Sequence, residues 1–257
     1  MGPSIALQLY TVRRQLAEDF LGTLRRIRDI GYTAVETASF PEPISPAVAG
    51  KTLKSLGLEV AAMHCGLPLG NGLKEAVELS ASLDCRRVIW HGWPRSEEFD
   101  SSAGIRRLAD SYNQADEMAR ANGLEFGLHT HWWEFEPIEG LYPYRLLNER
   151  LNPDIFLEID VYWVKTAGLD PSLVIAELGP RVRFLHVKDG PAVHGQPMTA
   201  AGEGAVDLPK ILGRIRSPAG LIVELDECAT DVFTAVERSH RFLQGLVSTM
   251  PTQSPPL

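Results

Sequence analysis

The stretch Asn122–Phe135, NGLEFGLHTHWWEF, decides the fold. A stripe of Ile105, Leu108, Ala109, Tyr112, Ala115, Met118 and Ala119 recurs at helical spacing up to it and stops near Gly123. From Leu124 the period changes to two. Leu124, Phe126 and Leu128 take one face, while Glu125, Gly127, His129 and His131 take the other. A long amphipathic helix that gives way at once to a short strand with polar residues at its end is one piece of a repeating α/β pattern.

The same alternation runs in both directions. Ile5–Tyr10, Thr33–Glu36, Leu58–His64 and Arg87–His91 read as strands before this stretch; Ile155–Asp160, Val182–His186 and Leu221–Leu225 read as strands after it. Helical stretches lie between them, including one built on Phe20, Leu24 and Ile27, one over Lys74–Leu83, and a last one after Asp231. Eight strand–helix units in 257 residues favour a single (βα)8 TIM barrel, an α/β fold, over a doubly wound sheet. No Gly-rich dinucleotide or phosphate loop follows the first strand, LQLYTVRRQ, which weakens the doubly wound alternative. The barrel is expected over residues 1–250, with 251–257 (PTQSPPL) a disordered tail. Two loops exceed an ordinary connection: Lys188–Val206, and the one from Trp132 towards Tyr144.

Composition excludes some functions. A net charge of −8 argues against a nucleic-acid partner, which needs a basic face. Cys65, Cys85 and Cys228 are at unrelated spacings without a CxxC, so neither a disulfide framework nor a cysteine metal site is indicated. The first residues lack the pattern of a signal peptide, and no apolar run approaches the roughly 18 residues of a membrane span. A cytoplasmic protein without membrane contact is expected, a homo-oligomer being compatible with the sequence.

Five of the seven histidines, His64, His91, His129, His131 and His186, fall at C-terminal strand ends. Glu36, Asp160 and Glu224 close short apolar strands in the same way, and Glu158 shares a face with Asp160 one step deeper. In a barrel these ends converge on one rim, where chemistry resides. Buried carboxylates without partners are costly, and one divalent metal ion (Mn²⁺, Mg²⁺, Co²⁺ or Zn²⁺) is the simplest compensation. Trp90, Trp93, Trp132, Trp133 and Trp163 follow strands 4, 5 and 6 and are expected to wall a pocket. Glu158 is expected to be structurally paired, and His194 and His240, in a loop and on a surface helix, are given no role.

Taken in order, LQLYTVR, GYTAVE, MHCGL, HTHWWEFEP, LEIDVYWVKTAGLDP, FLHVKDG, GEGAVDLPKIL and IVELDE resemble the sugar phosphate isomerase/epimerase family with the xylose-isomerase-like barrel, from Leu7 to about Glu227. DVYWVKTAG and LHVKDG are the most specific pieces. The resemblance implies a metal held by glutamate, aspartate, histidine and glutamate in chain order. It places Asp160, His186 and Glu224 in the last three positions and Glu134 in the first, with His129 competing for it. Where several epimerases of the family carry a histidine three residues after the aspartate, this chain has Trp163, so their sugar contacts do not transfer.

The expected activity is isomerisation or epimerisation of a keto-sugar or polyol derivative by proton transfer through a metal-stabilised enediolate. Dehydration by the same intermediate is the alternative, ahead of a DNA-repair endonuclease or a non-catalytic sugar-binding barrel. Glu134, Glu224, His129 and His131 are the proton-transfer candidates; His64, His91, Trp163 and Lys188 are the expected substrate contacts. GEGAVD (202–207) could offer backbone N–H groups to a phosphate.

Overall fold

In the computed structural model, residues 4–215 and 220–249 are described. Eight strands form the framework: β1 (Ile5–Gln8), β2 (Ala34–Thr37), β3 (Glu59–Cys65), β4 (Arg87–Trp90), β5 (Glu125–His129), β6 (Phe156–Asp160), β7 (Val182–Val187) and β8 (Gly220–Val223). All pair in parallel, each with its neighbour in sequence, and β1 closes on β8 with Ile5 opposite Leu221. The fold is therefore a single (βα)8 barrel of the α/β class. The proposed tail, 251–257, lies outside the described residues.

Helices cover the outside, and several are started by a capping side chain. Asp19 accepts from Gly22 N–H at the head of Phe20–Ile30, Ser101 from Gly104 N–H at the head of Ser102–Ala121, and Asp170 from Ser172 N–H before Pro171–Leu178. The larger core lies between this helical layer and the sheet and includes Leu7, Val35, Met63, Val88, Phe126, Leu128, Leu157, Ile159, Leu185 and Val223. Those are the outward-facing strand residues.

A second, smaller core fills the barrel itself: Ala6, Ala34, Ala62, Ile89, Phe156, Phe184 and Ile222. Two phenylalanines fit because the neighbouring strands omit side chains. A Cβ on Gly127 would stand 2.3 Å from the Phe156 ring, and one on Gly220 would stand 2.6 Å from the Phe184 ring. Small and large residues thus interdigitate into a packed plug at the lower level.

Four strands end earlier than the residue pattern suggests: β4 by one residue at Trp90, and β1, β5 and β8 by two. After Gln8 the chain turns into a short 3₁₀ helix, Leu9–Val12, whose Tyr10 N–H is accepted by the Gln8 side chain. β5 stops at His129, and the following residues curl into a tight turn in which Phe135 N–H bonds to Trp132 C=O. No helix among the described residues is long and apolar enough to cross a membrane.

Candidate functional site

Two residues beyond the apolar plug, the same strands turn polar. Gln8, Glu36, His64, His129, Glu158 and His186 occupy the next inward positions, with Gln8 opposite Glu36 and His129 opposite Glu158. Their side chains meet. Glu158 Oε2 lies 2.7 Å from His64 Nε2, 3.0 Å from His129 Nδ1 and 3.1 Å from His186 Nε2. Glu36 Oε2 accepts from Gln8 Nε2 and lies 2.7 Å from His186 Nε2 and 3.2 Å from His64 Nε2. Glu36, Glu158 and His186 are fully buried.

Above this chamber sits a second group. Lys188 Nζ, itself buried, is 2.8 Å from Glu224 Oε2, 3.1 Å from Asp160 Oδ2 and 2.9 Å from Asp226 Oδ1. Glu224 Oε2 also faces His186 Nδ1 at 2.7 Å, so His186 joins the two groups through its two ring nitrogens. The other oxygen of Asp160 caps the helix Val161–Thr166, accepting from Tyr162 and Trp163 N–H at 3.0 Å each. The ammonium lies 5.4 Å from the centre of the Trp163 ring.

The buried setting divides the charges. Burial, reinforced by Glu158, pushes the Glu36 carboxyl up to about 7. Burial works against ionisation of Glu158 and Glu224 too, but His186 and His64 beside the former, and Lys188 and His186 beside the latter, hold both well below the carboxylate range. Burial also disfavours charge on His186 and Lys188; the surrounding carboxylates outweigh it and raise both. His129 goes the other way, lowered to about 3 by burial and by His186, and burial with His129 lowers His131. Neutral imidazoles therefore stand beside a charged network.

Four of the five tryptophans expected after strands 4 to 6, Trp93, Trp132, Trp133 and Trp163, cluster together. Trp132 contacts Trp163 with ring centres 5.0 Å apart, Trp133 at 4.7 Å and Trp93 at 6.4 Å. His131 stacks on Trp133 at 4.1 Å and meets His129 edge-on at 4.9 Å, which keeps it at the edge of the chamber. His91 lies on this side as well. Its Nδ1 accepts from Trp93 N–H, and burial together with nearby His64 lowers its pKa to about 4.

Of the expected metal ligands, Asp160, His186 and Glu224 come together and Glu134 does not join them. The turn after His129 sends the Glu134 carboxylate back to accept the His131 N–H at 2.8 Å. There it lines a cavity outside the barrel wall with Tyr112, Trp90, Leu147 and Asn148, where burial raises its pKa to about 8. His129, the competing residue, is in the chamber.

Glu158 is paired, as expected, and with three imidazoles at once. Other differences are equally physical. Asp226, which shares Lys188 with Asp160 and Glu224, carries no sequence signal beyond its place two residues after Glu224. His194 reaches back from its long loop to the edge of Trp132, at 4.3 Å. His240 is buried against Tyr32 at 4.6 Å, not on the surface. The N–H groups of Gly202, Gly204 and Val206 in GEGAVD all donate to the Asp189 carboxylate, as does Gly190 N–H, so that loop is tied down from within.

Among the described residues, two overlapping sets of side chains could hold a metal ion: His64, His129, Glu158 and His186 in the chamber, and Asp160, His186 and Glu224 above it. The chemistry fits a divalent cation. Acids outnumber cations in this volume, and the buried Glu36 Oε1 and Glu158 Oε1 have no hydrogen-bond partner.

A family model described as xylose isomerase-like TIM barrel matches residues 24–244. Among solved structures, a sugar phosphate isomerase/epimerase from Parabacteroides distasonis is 22% identical with a TM-score of 0.80, the match covering 96% of each chain. An L-ribulose 3-epimerase is 19% identical with a TM-score of 0.71, covering 97% of this chain and 95% of its own. The probable 3-DHS dehydratase AsbF from Bacillus anthracis is 14% identical with a TM-score of 0.75, covering 94% of this chain and 98% of its own. No curated protein matches the chain significantly.

Proposed function

Because the chain belongs to the xylose isomerase-like TIM barrel family, we propose that it is a divalent-metal-dependent isomerase or epimerase of a keto-sugar or polyol derivative. The observation that carries this reading is the convergence of imidazole and carboxylate donors from β3, β5, β6 and β7 and from Glu224, just beyond β8, at one barrel end.

A divalent ion bound there would polarise a substrate carbonyl and acidify the adjacent C–H. Glu224, kept ionised by Lys188 and His186, is placed to take that proton. His131, held neutral with its buried Nδ1 unpartnered, is a proton carrier on the β5 side. Lys188 supplies a positive charge for the oxygen that becomes negative in the enediolate. Trp132 and Trp163 offer flat faces to the C–H side of a sugar ring, and His64 and His91 face the same volume from β3 and β4. Glu134 lies behind the wall and is left out of the proton transfer; it holds the turn that carries His131.

The test is proton-exchange NMR in D₂O with a panel of keto-sugars. Deuterium incorporated next to the carbonyl, with a product of unchanged mass apart from the label, supports isomerisation or epimerisation. Loss of water would move the assignment to a dehydratase, because the same enediolate can expel a β-hydroxyl. Absence of any exchange, with metal supplied, would refute both.

A further inference from the structure

We propose that the substrate carries a second, uncharged ring beyond the reacting sugar, and that the exposed Trp93 receives it. The proposal rests on the carbonyl-sugar reading above and narrows its substrate class to a glycoside.

The observation behind it is a gradient of exposure along one aromatic series. Trp163, with its ring centre 5.4 Å from the Lys188 ammonium, is 9% exposed. Trp132 follows 5.0 Å away and is half-buried. Trp93 follows Trp132 at 6.4 Å and is 56% exposed. Each step is comparable with the width of a sugar ring. A substrate that ended at one ring would use Trp163 and Trp132 and leave Trp93 in water. An exposed aromatic ring continuous with two others is a patch, not a scattered surface residue, and such patches mark binding sites.

Trp93 is exposed yet held in place. Its N–H donates to His91 Nδ1, and Trp133 and His131 support it with ring centres 5.8 and 6.1 Å away. A ring fixed beforehand loses little freedom on binding. His194, exposed on the Lys188–Val206 loop, meets Trp132 edge-on at 4.3 Å and Trp163 at 5.8 Å. The base of that loop is pinned by the N–H groups gathered on Asp189 and by Met198 N–H on Glu227 C=O at 2.8 Å. Its imidazole thus brings a hydrogen-bonding group to the edge of an apolar platform, as a hydroxylated ring requires.

Charge sets the chemistry of the second group. Arg13 is engaged by Glu227 at 2.7 Å and by Asp226 C=O, Arg95 by Asp100 at 2.7 Å, and Lys188 by three acids. The backbone N–H groups of GEGAVD are taken by Asp189. The chain as a whole carries a net charge of −8. A phosphate would compete with these acids for every cation, whereas a neutral ring stacked on tryptophan needs none of them. A sugar joined to a second group through its anomeric carbon stays closed. The carbonyl that the chemistry needs is then a ketone within the ring.

The experiment compares two glycosides of glucose oxidised to a ketone at C3, one methyl and one phenyl, which share the reacting ring. Deuterium incorporation beside the ketone is followed by NMR in D₂O with metal supplied, and binding is followed by calorimetry. The unaltered chain is expected to favour the phenyl glycoside by roughly 10- to 100-fold in kcat/KM. Trp93→Ala should bring that ratio close to one, and Trp93→Phe should restore most of it. A ratio that survives Trp93→Ala overturns the proposal. That includes equal slowing of both glycosides, since Trp93 would then act through His131. It also includes a dimer that dissociates in Trp93→Ala on gel filtration, which would make Trp93 a subunit contact. Exchange of free keto-sugars without preference for, or binding of, the phenyl glycoside overturns the proposal and leaves the carbonyl reading intact. Exchange in no sugar, with phenyl glycoside bound by the unaltered chain and lost in Trp93→Ala, would support the outer site and refute the proton-transfer reading.

Discussion

Two levels of one barrel, separated by about 7 Å of strand, have opposite chemistry. At the lower level the strands contribute Ala6, Ala34, Ala62, Phe156, Phe184 and Ile222, which pack on one another. Two residues further along, the same strands contribute Gln8, Glu36, His64, Glu158, His186 and Glu224. The lower level closes the barrel by filling it. The upper level would fill it poorly, since every buried charge there requires a partner. The difference teaches that the plug supplies the stability that allows a charged chamber to exist above it.

Phe156→Ala is the sharpest way to break that division. The ring faces Gly127 directly and meets Phe184 at 5.8 Å, so truncation leaves a hole that a glycine cannot fill. A loss of about 3–5 kcal/mol is expected, measured as a shift of the urea midpoint. A change under about 1 kcal/mol would mean that the plug is not what holds the barrel closed.

Lys188→Met tests the upper level. Removing the cation that stabilises a developing oxyanion is expected to lower kcat by ~10²–10³-fold, measured on whichever keto-sugar undergoes exchange. The contrast with Phe156→Ala is that turnover, not the plug, bears the effect. A Lys188→Met chain with normal turnover and a stability loss as large as that of Phe156→Ala would make Lys188 a structural counter-ion only.

Much of this was legible in the residues. Seven of the eight strands were marked by short apolar runs ending at or beside an acid or histidine, the first (Ile5–Tyr10) by its apolar run alone, because a period of two and a convergent rim leave a strong pattern. The gathering of His64, His129 and His186 followed from their places at strand ends that converge on one rim. Glu134 did not follow, since its direction depends on the turn after His129 and on one hydrogen bond to His131 N–H, neither of which has a periodic signal. Asp226 and His194 were hidden for the same reason, being placed by loop geometry. Glu158 shared the inward face with Asp160, yet only the distances reveal that three imidazoles meet on it. The case of His240 is different, because Phe233, Val236, His240 and Leu243 do follow helical spacing and could have marked it as buried.

That histidine gives the smallest test, a contrast between a histidine outside the mouth and those within it. His240 is buried against Tyr32, with the backbone of Gly31 closing over it. Burial lowers its pKa from the ordinary value, the Gly31 backbone opposing only in part. The unfolded chain would therefore take up a proton near pH 6.5, where the folded chain still resists it. The sign follows: more protons on the unfolded state below that pH means stability that is full above about pH 6.5 and is lost as pH falls towards the folded-state value. His240→Gln removes the titrating group, so its urea midpoint should fall less steeply between about pH 6.5 and 5 than that of the unaltered chain. Parallel slopes for the two proteins would place the acid sensitivity in the mouth, among His64, His129, His131 and His186, rather than at this outer contact.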